Sequence, residues 1–274
     1  MKHAASREAL ATLRERLDGV TGRFSTAQGM TGLAQELYAV VDLLIRQPRL
    51  RRTLADPSTP AEGRADLAGT LFDDKIGTSS VQVVRDAVSL RWSSPWDLLD
   101  ALETMADDVL FGAAEQEGVL DEVEDELFRF GRVLDAESRL TATLDDATAD
   151  AERRTALLRE VLGDKVHPIT RTLLEYAVAS QRNRIVTFGI DNLLKLAAAR
   201  RGRSMARVIS AVELTGGQKS RLAAALTAMY GRPIDIRTAV DPTVRGGVVI
   251  RVGDEVIDGS IAARLASART ALAG

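Results

Sequence analysis

Apolar residues recur along most of this chain at three- and four-residue intervals, the spacing that gathers them on one side of an α-helix. Leu37 with Leu44, Leu50 with Leu54, and the run Leu98, Leu102, Met105, Val109 all follow this rule, so they are read as core positions. Helix starts can be placed as well. Thr59-Pro60-Ala61-Glu62 has the form of a capping box with Pro60 at the first helical position, and Asp150 takes the cap role further along. Thr78 with Ser79, and Pro168, mark the starts of helices running toward Leu90 and Ser180. A long helix from Trp96 to Gly118 lies between these groups.

The period changes after the basic stretch Ala199-Arg200-Arg201-Gly202-Arg203. Residues Arg207 to Leu214 are short and β-branched, Gly217 to Tyr230 is an Ala/Leu helix, and Ile234 to Arg237 alternates. Val244 to Val252, Gly253-Asp254, Glu255 to Ile257 and Ser260 to Leu272 then predict strand, turn, strand and helix. Within the first of these strands Val248, Ile250 and Val252 share one face, while Val249 and Arg251 share the other. Gly246-Gly247 falls in the same strand-like run and is read as a bulge or a close backbone approach. Ser260 caps a last amphipathic helix whose stripe is Ile261, Leu265 and Leu272.

Laying the chain on itself with a shift of 90 residues pairs Glu36 with Glu126 and continues without a gap to Trp92 with Arg182. Sixteen of these 57 positions are identical, among them Leu37, Arg49, Thr53, Asp56, Arg64, Lys75 and Val88 with their counterparts. Composition alone would give about five. The chain therefore carries a helical domain twice, and the helix from Trp96 to Gly118 ends the first copy and opens the second. The expected fold is mainly α: two tandem helical bundles over 1–95 and 96–202, followed by a small α+β domain over 203–274.

Composition supports this and removes several functions. At 274 residues with 45% hydrophobic and 27% charged residues the chain is globular, and with only 4% aromatics its core is built from Leu, Val and Ala. Without cysteine there is no disulfide, thiolate nucleophile or Cys-ligated zinc. Apolar stretches are interrupted by residues such as Asp42 and Arg46, short of the roughly 20 that cross a bilayer. The start is too charged for a signal segment or anchor. The net charge of -3 divides unevenly, +2 over 1–95, -9 over 96–202 and +4 over 203–274, and the acidic middle argues against a nucleic-acid partner.

Candidate chemistry is sparse. His3 and His167 lie in no metal-binding pattern, and His167 reads as a cap before Pro168. Gly246-Gly247 lacks the Lys-Ser/Thr of a phosphate loop, and no nucleophile elbow, kinase set or dinucleotide fingerprint is present. Catalytic, cofactor and metal residues are all expected to be none. Trp92 and Trp96 read as packing residues, and the cluster Arg46, Arg49, Arg51, Arg52 as an exposed helix end. From Asp97 to Phe128 there are twelve acidic residues and no basic one. This is either a solvated face over a core stripe or a docking surface for a basic amphipathic helix.

One set of residues carries a resemblance: Ile234, Ile236, Val240-Asp241, Val244, the run Gly246-Gly247-Val248-Val249-Ile250-Arg251-Val252-Gly253, then Val256-Ile257-Asp258-Gly259-Ser260. It resembles the signature of the delta subunit of F-type ATP synthases, called the oligomycin-sensitivity-conferring protein in mitochondria. The likeness extends upstream through Leu110-Phe111, Ala114 to Val123, Leu157-Leu158, Leu162 to Val166 and Asn183-Arg184. Residues from about 105 onward thus resemble a complete delta subunit, and the first copy is surplus, as in the longer delta subunits of actinobacteria. Where family members often open their first helix with Tyr-Ala, this chain has Ala106-Asp107.

The resemblance implies a non-catalytic stator subunit on the cytoplasmic face of the cell membrane, coupling proton-driven rotation to ATP synthesis. Its implied partners are the N-terminal helices of the alpha subunits and the peripheral-stalk b subunit, with no nucleic acid, membrane insertion, cofactor or small-molecule substrate. It places the alpha-subunit helix in a groove between the first and fifth helices of the bundle. In this chain these are taken as the helix holding Val109, Leu110 and Ala113 and the helix holding Ile185, Phe188, Leu193 and Leu194. The family signature falls on Gly246, Gly247, Ile250, Arg251, Gly253, Asp254, Asp258, Gly259 and Ser260. The alternative reading is a helical RNA-binding or antitermination-like module, which would need a basic face and salt-dependent RNA binding.

Overall fold

A computed structural model describes residues 4–180, 185–203, 205–230, 234–241, 244, 246–252 and 255–259. The chain separates into two compact units, Met1–Ala197 and Ala198–Gly274. The two tandem bundles expected over 1–95 and 96–202 thus fall almost wholly within the first unit. Buried residues from Ala9 to Ala197 form one continuous hydrophobic cluster, so the two copies share a core.

Helices of the first unit are α1 (Ala4–Thr21), α2 (Ala27–Arg46), α3 (Pro48–Leu54), α4 (Ala61–Phe72), α5 (Thr78–Ser89), α6 (Pro95–Glu117), α7 (Leu120–Ala136), α8 (Ser138–Leu144), α9 (Ala151–Leu162) and α10 (Pro168–Ala179), together with α11 (Val186–Arg203), which begins in this unit and ends past its limit at Ala197. The internal repeat is visible in their limits. Three helices of the first copy, α3, α4 and α5, begin and end 90 residues before α8, α9 and α10. The long α6 closes the first copy and opens the second, as the sequence predicted.

A shared set of side-chain-to-backbone bonds fixes both copies. Glu36 accepts from the Gly77 amide at 2.9 Å and from the Ser80 hydroxyl. Its counterpart Glu126 accepts from the His167 amide, at 3.1 and 3.0 Å to its two oxygens, and from the Thr170 hydroxyl. Each carboxylate thus satisfies donors at a helix N-terminus that the helix itself cannot pair. Arg64 donates to the Asp56 carbonyl at 3.0 Å, and Arg154 to the Asp146 carbonyl at 3.2 Å. Asp56 accepts from the Ser58 amide and hydroxyl at 2.9 and 2.7 Å, and Asp146 from those of Thr148 at 2.9 and 2.6 Å. These bonds hold the turn between the third and fourth helix of each copy.

Several local expectations change. Pro60, not Thr59, is the residue preceding α4, and its side chain makes no capping bond; Thr59 instead offers its carbonyl to Arg64. In the second copy Asp150 does cap α9, accepting from the Glu152 amide at 3.3 Å. His167 caps α10 as expected, with Nδ1 accepting from the Ile169 amide at 3.2 Å. Trp92 is buried and donates to the Ala87 carbonyl at 2.7 Å, while Trp96 is half exposed. Arg51 leaves the expected exposed cluster: it is buried, donates to the Leu44 carbonyl at 3.2 Å, and stacks its guanidinium 3.7 Å from the Trp96 ring centroid. Burial, followed by the neighbouring Arg52 charge, lowers its pKa from the ordinary arginine value.

The second unit is a four-stranded sheet, β1 (Met205–Ser210), β2 (Asp235–Val240), β3 (Val248–Val252) and β4 (Glu255–Asp258), with α12 (Gly216–Tyr230). Its order is β2-β1-β3-β4. The β1 and β2 pair is parallel, and α12 supplies the crossover that such a pair requires. Strand β1 also pairs antiparallel with β3, and β3 with β4. Ala206, Val208, Ile250 and Val252 pack with Leu222, Leu226 and Tyr230 of α12 as a small separate core. Gly246 and Gly247 stand before β3 rather than inside it, with φ of 74° and 79°. Side chains would strain two consecutive positive-φ residues, and the pair lies outside the strand ladder, so it is a bend leading into β3 and not a bulge within it. The expected helix from Ser260 to Leu272 lies outside the described residues.

Candidate docking surfaces

The surface expected to hold a partner helix is largely closed by the chain itself. Val109, Leu110 and Ala113 are fully buried. They lie on α6, whose most extensive neighbour is α2. Small residues on both helices, Ala34 on α2 and Ala101, Ala106, Gly112 and Ala113 on α6, leave room for close approach. Polar contacts fix the register of the first copy on α6. Ser6 donates to Asp97 at 2.7 Å inside the core, and Arg14 meets the buried Asp108 at 3.0 Å.

Tyr38 of α2 reaches furthest. Its ring stacks on Tyr176 of α10 with centroids 3.6 Å apart, and its hydroxyl donates to Asp107 of α6 at 2.6 Å. Burial, then the Asp107 carboxylate, holds the phenol well above the ordinary tyrosine pKa. Tyr38 of α2 thus stands between α6 and α10 at this level of the unit. Asp107 is one of the two residues standing where the family often has Tyr-Ala, and here it is engaged by the extra copy.

The helix holding Phe188, Leu193 and Leu194 is α11. Counted from α6 it is the sixth helix of the second copy, not the fifth, because the short α8 breaks away from α7 at Glu137. The fifth is α10. Ile185 precedes α11 and is exposed, as is Phe188; Leu194 is partly buried and Leu193 buried. Of the seven residues expected to meet a partner, Ile185 and Phe188 therefore carry the open apolar surface. The stack of Tyr38 on Tyr176 was not anticipated, since neither position repeats at the 90-residue shift: Phe128 matches Tyr38, and Asp86 matches Tyr176.

Signature residues of the second unit divide by role. Ile250 is core, Arg251 and Asp258 are exposed, and the Gly259 amide donates to the Val248 carbonyl at 2.9 Å. A Cβ on Gly259 would stand 3.1 Å from that carbonyl oxygen, so close strand approach explains the glycine. Gly253, Asp254 and Ser260, like Asn183 and Arg184, lie outside the described residues. Among the described residues no group of three or more His, Cys, Asp or Glu could hold a metal, and no helix is long and apolar enough to cross a membrane.

The family described as ATP synthase delta (OSCP) subunit matches residues 108–272. An ATP synthase subunit delta of Streptomyces avermitilis is 48% identical over 271 residues, covering 99% of this chain and 98% of that one. The chain belongs to this family. A subunit delta of Frankia alni is 43% identical over 98% of both chains, so the duplicated length is shared by delta subunits of actinobacteria. An ATP synthase subunit b-delta of a Mycobacterium species is 43% identical over 98% of this chain but only 60% of its own length. A chain from the Toxoplasma gondii mitochondrial ATP synthase hexamer aligns over 61% of this chain and 95% of its own at 18% identity, with a TM-score of 0.29, too low to bear on the fold. As a delta subunit the chain is a structural part of ATP synthase, not a catalyst in its own right, and it belongs to a complex peripherally associated with a membrane.

Proposed function

We propose that this delta subunit is the stator link of its ATP synthase, binding the catalytic head through the helical unit and the peripheral stalk through the small α+β unit. Two attachments on one chain raise the effective concentration of each partner for the other, which suits a part that resists torque without doing chemistry. The observation that carries this reading is the presence of two separate compact units on a chain of the delta family. The mycobacterial relative named b-delta supports a stalk b subunit as neighbour, because there a delta-like region is part of a longer chain whose name includes b. The cytoplasmic face of the membrane follows from the same reading.

For the head, the alpha-subunit N-terminal helix is assigned to the exposed apolar strip formed by Ile185 and Phe188 at the start of α11, since Tyr38 of α2 stands between α6 and α10. Val109, Leu110 and Ala113 then act from beneath by setting the position of α6. The test is binding of an alpha-subunit N-terminal peptide to the chain and to its Ile185→Glu, Phe188→Glu double variant. Loss of at least about tenfold in affinity is expected when two apolar anchors are charged. Unchanged affinity would remove the partner helix from this strip.

A further inference from the structure

Strand register in the second unit aligns three arginines. Arg207 of β1 pairs directly with Arg237 of β2 on one side and with Arg251 of β3 on the other. All three are exposed, and they lie on the face opposite α12, because their strand neighbours Ala206, Val208, Ile236, Ile250 and Val252 are the residues packed toward that helix. The row ends at Val256 of β4. One step along the strands, Ala239, Ile209 and Val249 form a parallel apolar row closed by Asp258.

Like charges directly opposite one another on neighbouring strands destabilise a sheet. Three in a row bring no evident benefit to folding, and binding of an anion removes their cost. Strands lie about 4.8 Å apart, so the row offers three cations at roughly that interval. A helix laid across the strands presents one residue per turn at about 5.4 Å, and over two intervals the mismatch is only about 1 Å, well within the reach of arginine side chains. The neighbouring apolar row would receive the adjoining stripe of the same helix.

We propose that this row is the docking site for an acidic, amphipathic helix of a partner polypeptide, lying across β2, β1 and β3 with one carboxylate per turn over Arg237, Arg207 and Arg251. The proposal rests on the stator reading and names the surface and chemistry by which the small unit holds its partner. Charge complementarity selects the occupant. The chain's own residues 260–274 carry Arg264 and Arg269 and no Asp or Glu, so they would add like charge. Nucleic acid would use the cations but leave the row Ala239, Ile209, Val249 without an apolar partner.

The experiment uses the full chain and a fluorescent synthetic helical peptide with Glu once per turn and Leu on the adjoining stripe, followed by anisotropy at increasing salt. Wild type should bind it with affinity that falls as salt rises. The Arg207→Gln, Arg237→Gln, Arg251→Gln variant should bind at least about tenfold more weakly, with a thermal midpoint equal to or above wild type because repulsion has been removed. A peptide with Lys in place of Glu should bind only the Arg207→Glu, Arg237→Glu, Arg251→Glu variant. Equal binding by wild type and the Gln variant would overturn the proposal. So would a lowered midpoint in that variant, preferential binding of phosphatidylglycerol vesicles or poly-uridylate, or arginine-dependent self-association. If the Gln variant keeps its stalk partner while removal of 198–274 releases it, the stator reading stands and the arginine row does not.

Discussion

The two helical copies keep the same internal wiring and differ in what they show to their surroundings. Glu36 and Glu126, Asp56 and Asp146, and Arg64 and Arg154 do the same work 90 residues apart. At position 51 the first copy uses buried Arg51 to satisfy the Leu44 carbonyl, and the second uses Thr141 for the Leu134 carbonyl at 2.6 Å. The link between the fourth and fifth helices reverses its charges, with Arg85 to Asp66 at 3.0 Å in one copy and Arg159 to Glu175 at 2.7 Å in the other. Bonds that satisfy backbone are retained, while exposed pairs worth little to stability are free to change. The outer ends diverge most: α6 is sheathed by α1, α2 and α10, whereas α11 leaves Ile185 and Phe188 open at its start.

The hardest way to break this likeness is through the buried arginine. In the first copy Arg64 donates to five carbonyls, those of Asp56, Thr59, Val88, Ser89 and Leu90. Arg64→Met should cost about 3–4 kcal/mol in denaturant unfolding, because several buried acceptors lose their donor together. Next comes the shared core. Leu37→Ala and Leu127→Ala remove matching, fully buried side chains, and each should cost about 2–5 kcal/mol. Since the copies share a core, the first unit should still unfold in one transition in both variants; a split of that unit's own transition would show that the copies fold independently.

A smaller effect is expected where the copies touch. Tyr38→Phe keeps the stack on Tyr176 and loses the bond to Asp107, for about 1–2 kcal/mol. Because the folded phenol titrates above the unfolded value near 10, its share of stability is complete below about pH 10 and is lost as pH rises through the higher folded value. Tyr38→Phe should remove that alkaline slope. At the acid end Asp56 and Asp146 are held below the usual carboxylate range by Ser58 and Thr148. What they contribute is present above the unfolded value near 3.9 and is lost as pH falls through their lower folded values. Asp56→Asn and Asp146→Asn should therefore each flatten acid unfolding by a similar amount. Smallest is Gly118→Ala, where a left-handed φ of 74° ends α6 in open space; it should cost about 1 kcal/mol through backbone strain alone.

Much of this was legible before any coordinates. The repeat, the sharing of α6 and the strand, helix, strand order after residue 203 follow from periodicity and caps that act within a few residues. Long-range packing did not show itself. Nothing near Val109, Leu110 or Ala113 reveals whether their apolar side faces a partner or α2, because the answer depends on small residues far earlier in the chain, such as Ala34. The short α8 leaves no mark of its own in the pattern, because seven residues hold too few turns for a clear period. The arginine row was hidden for the same reason: Arg207 and Arg237 meet only through a parallel pairing across α12, and sequence alone does not set that register.

The central claim is that one chain holds head and stalk by different units. It is tested most directly by co-sedimenting the full chain, and the chain lacking residues 198–274, with isolated catalytic head and b subunit. The account predicts that the full chain carries b down with the head and that the shortened chain still binds the head but leaves b in solution. Retention of b by the shortened chain, or failure of the full chain to bind either component, would contradict it.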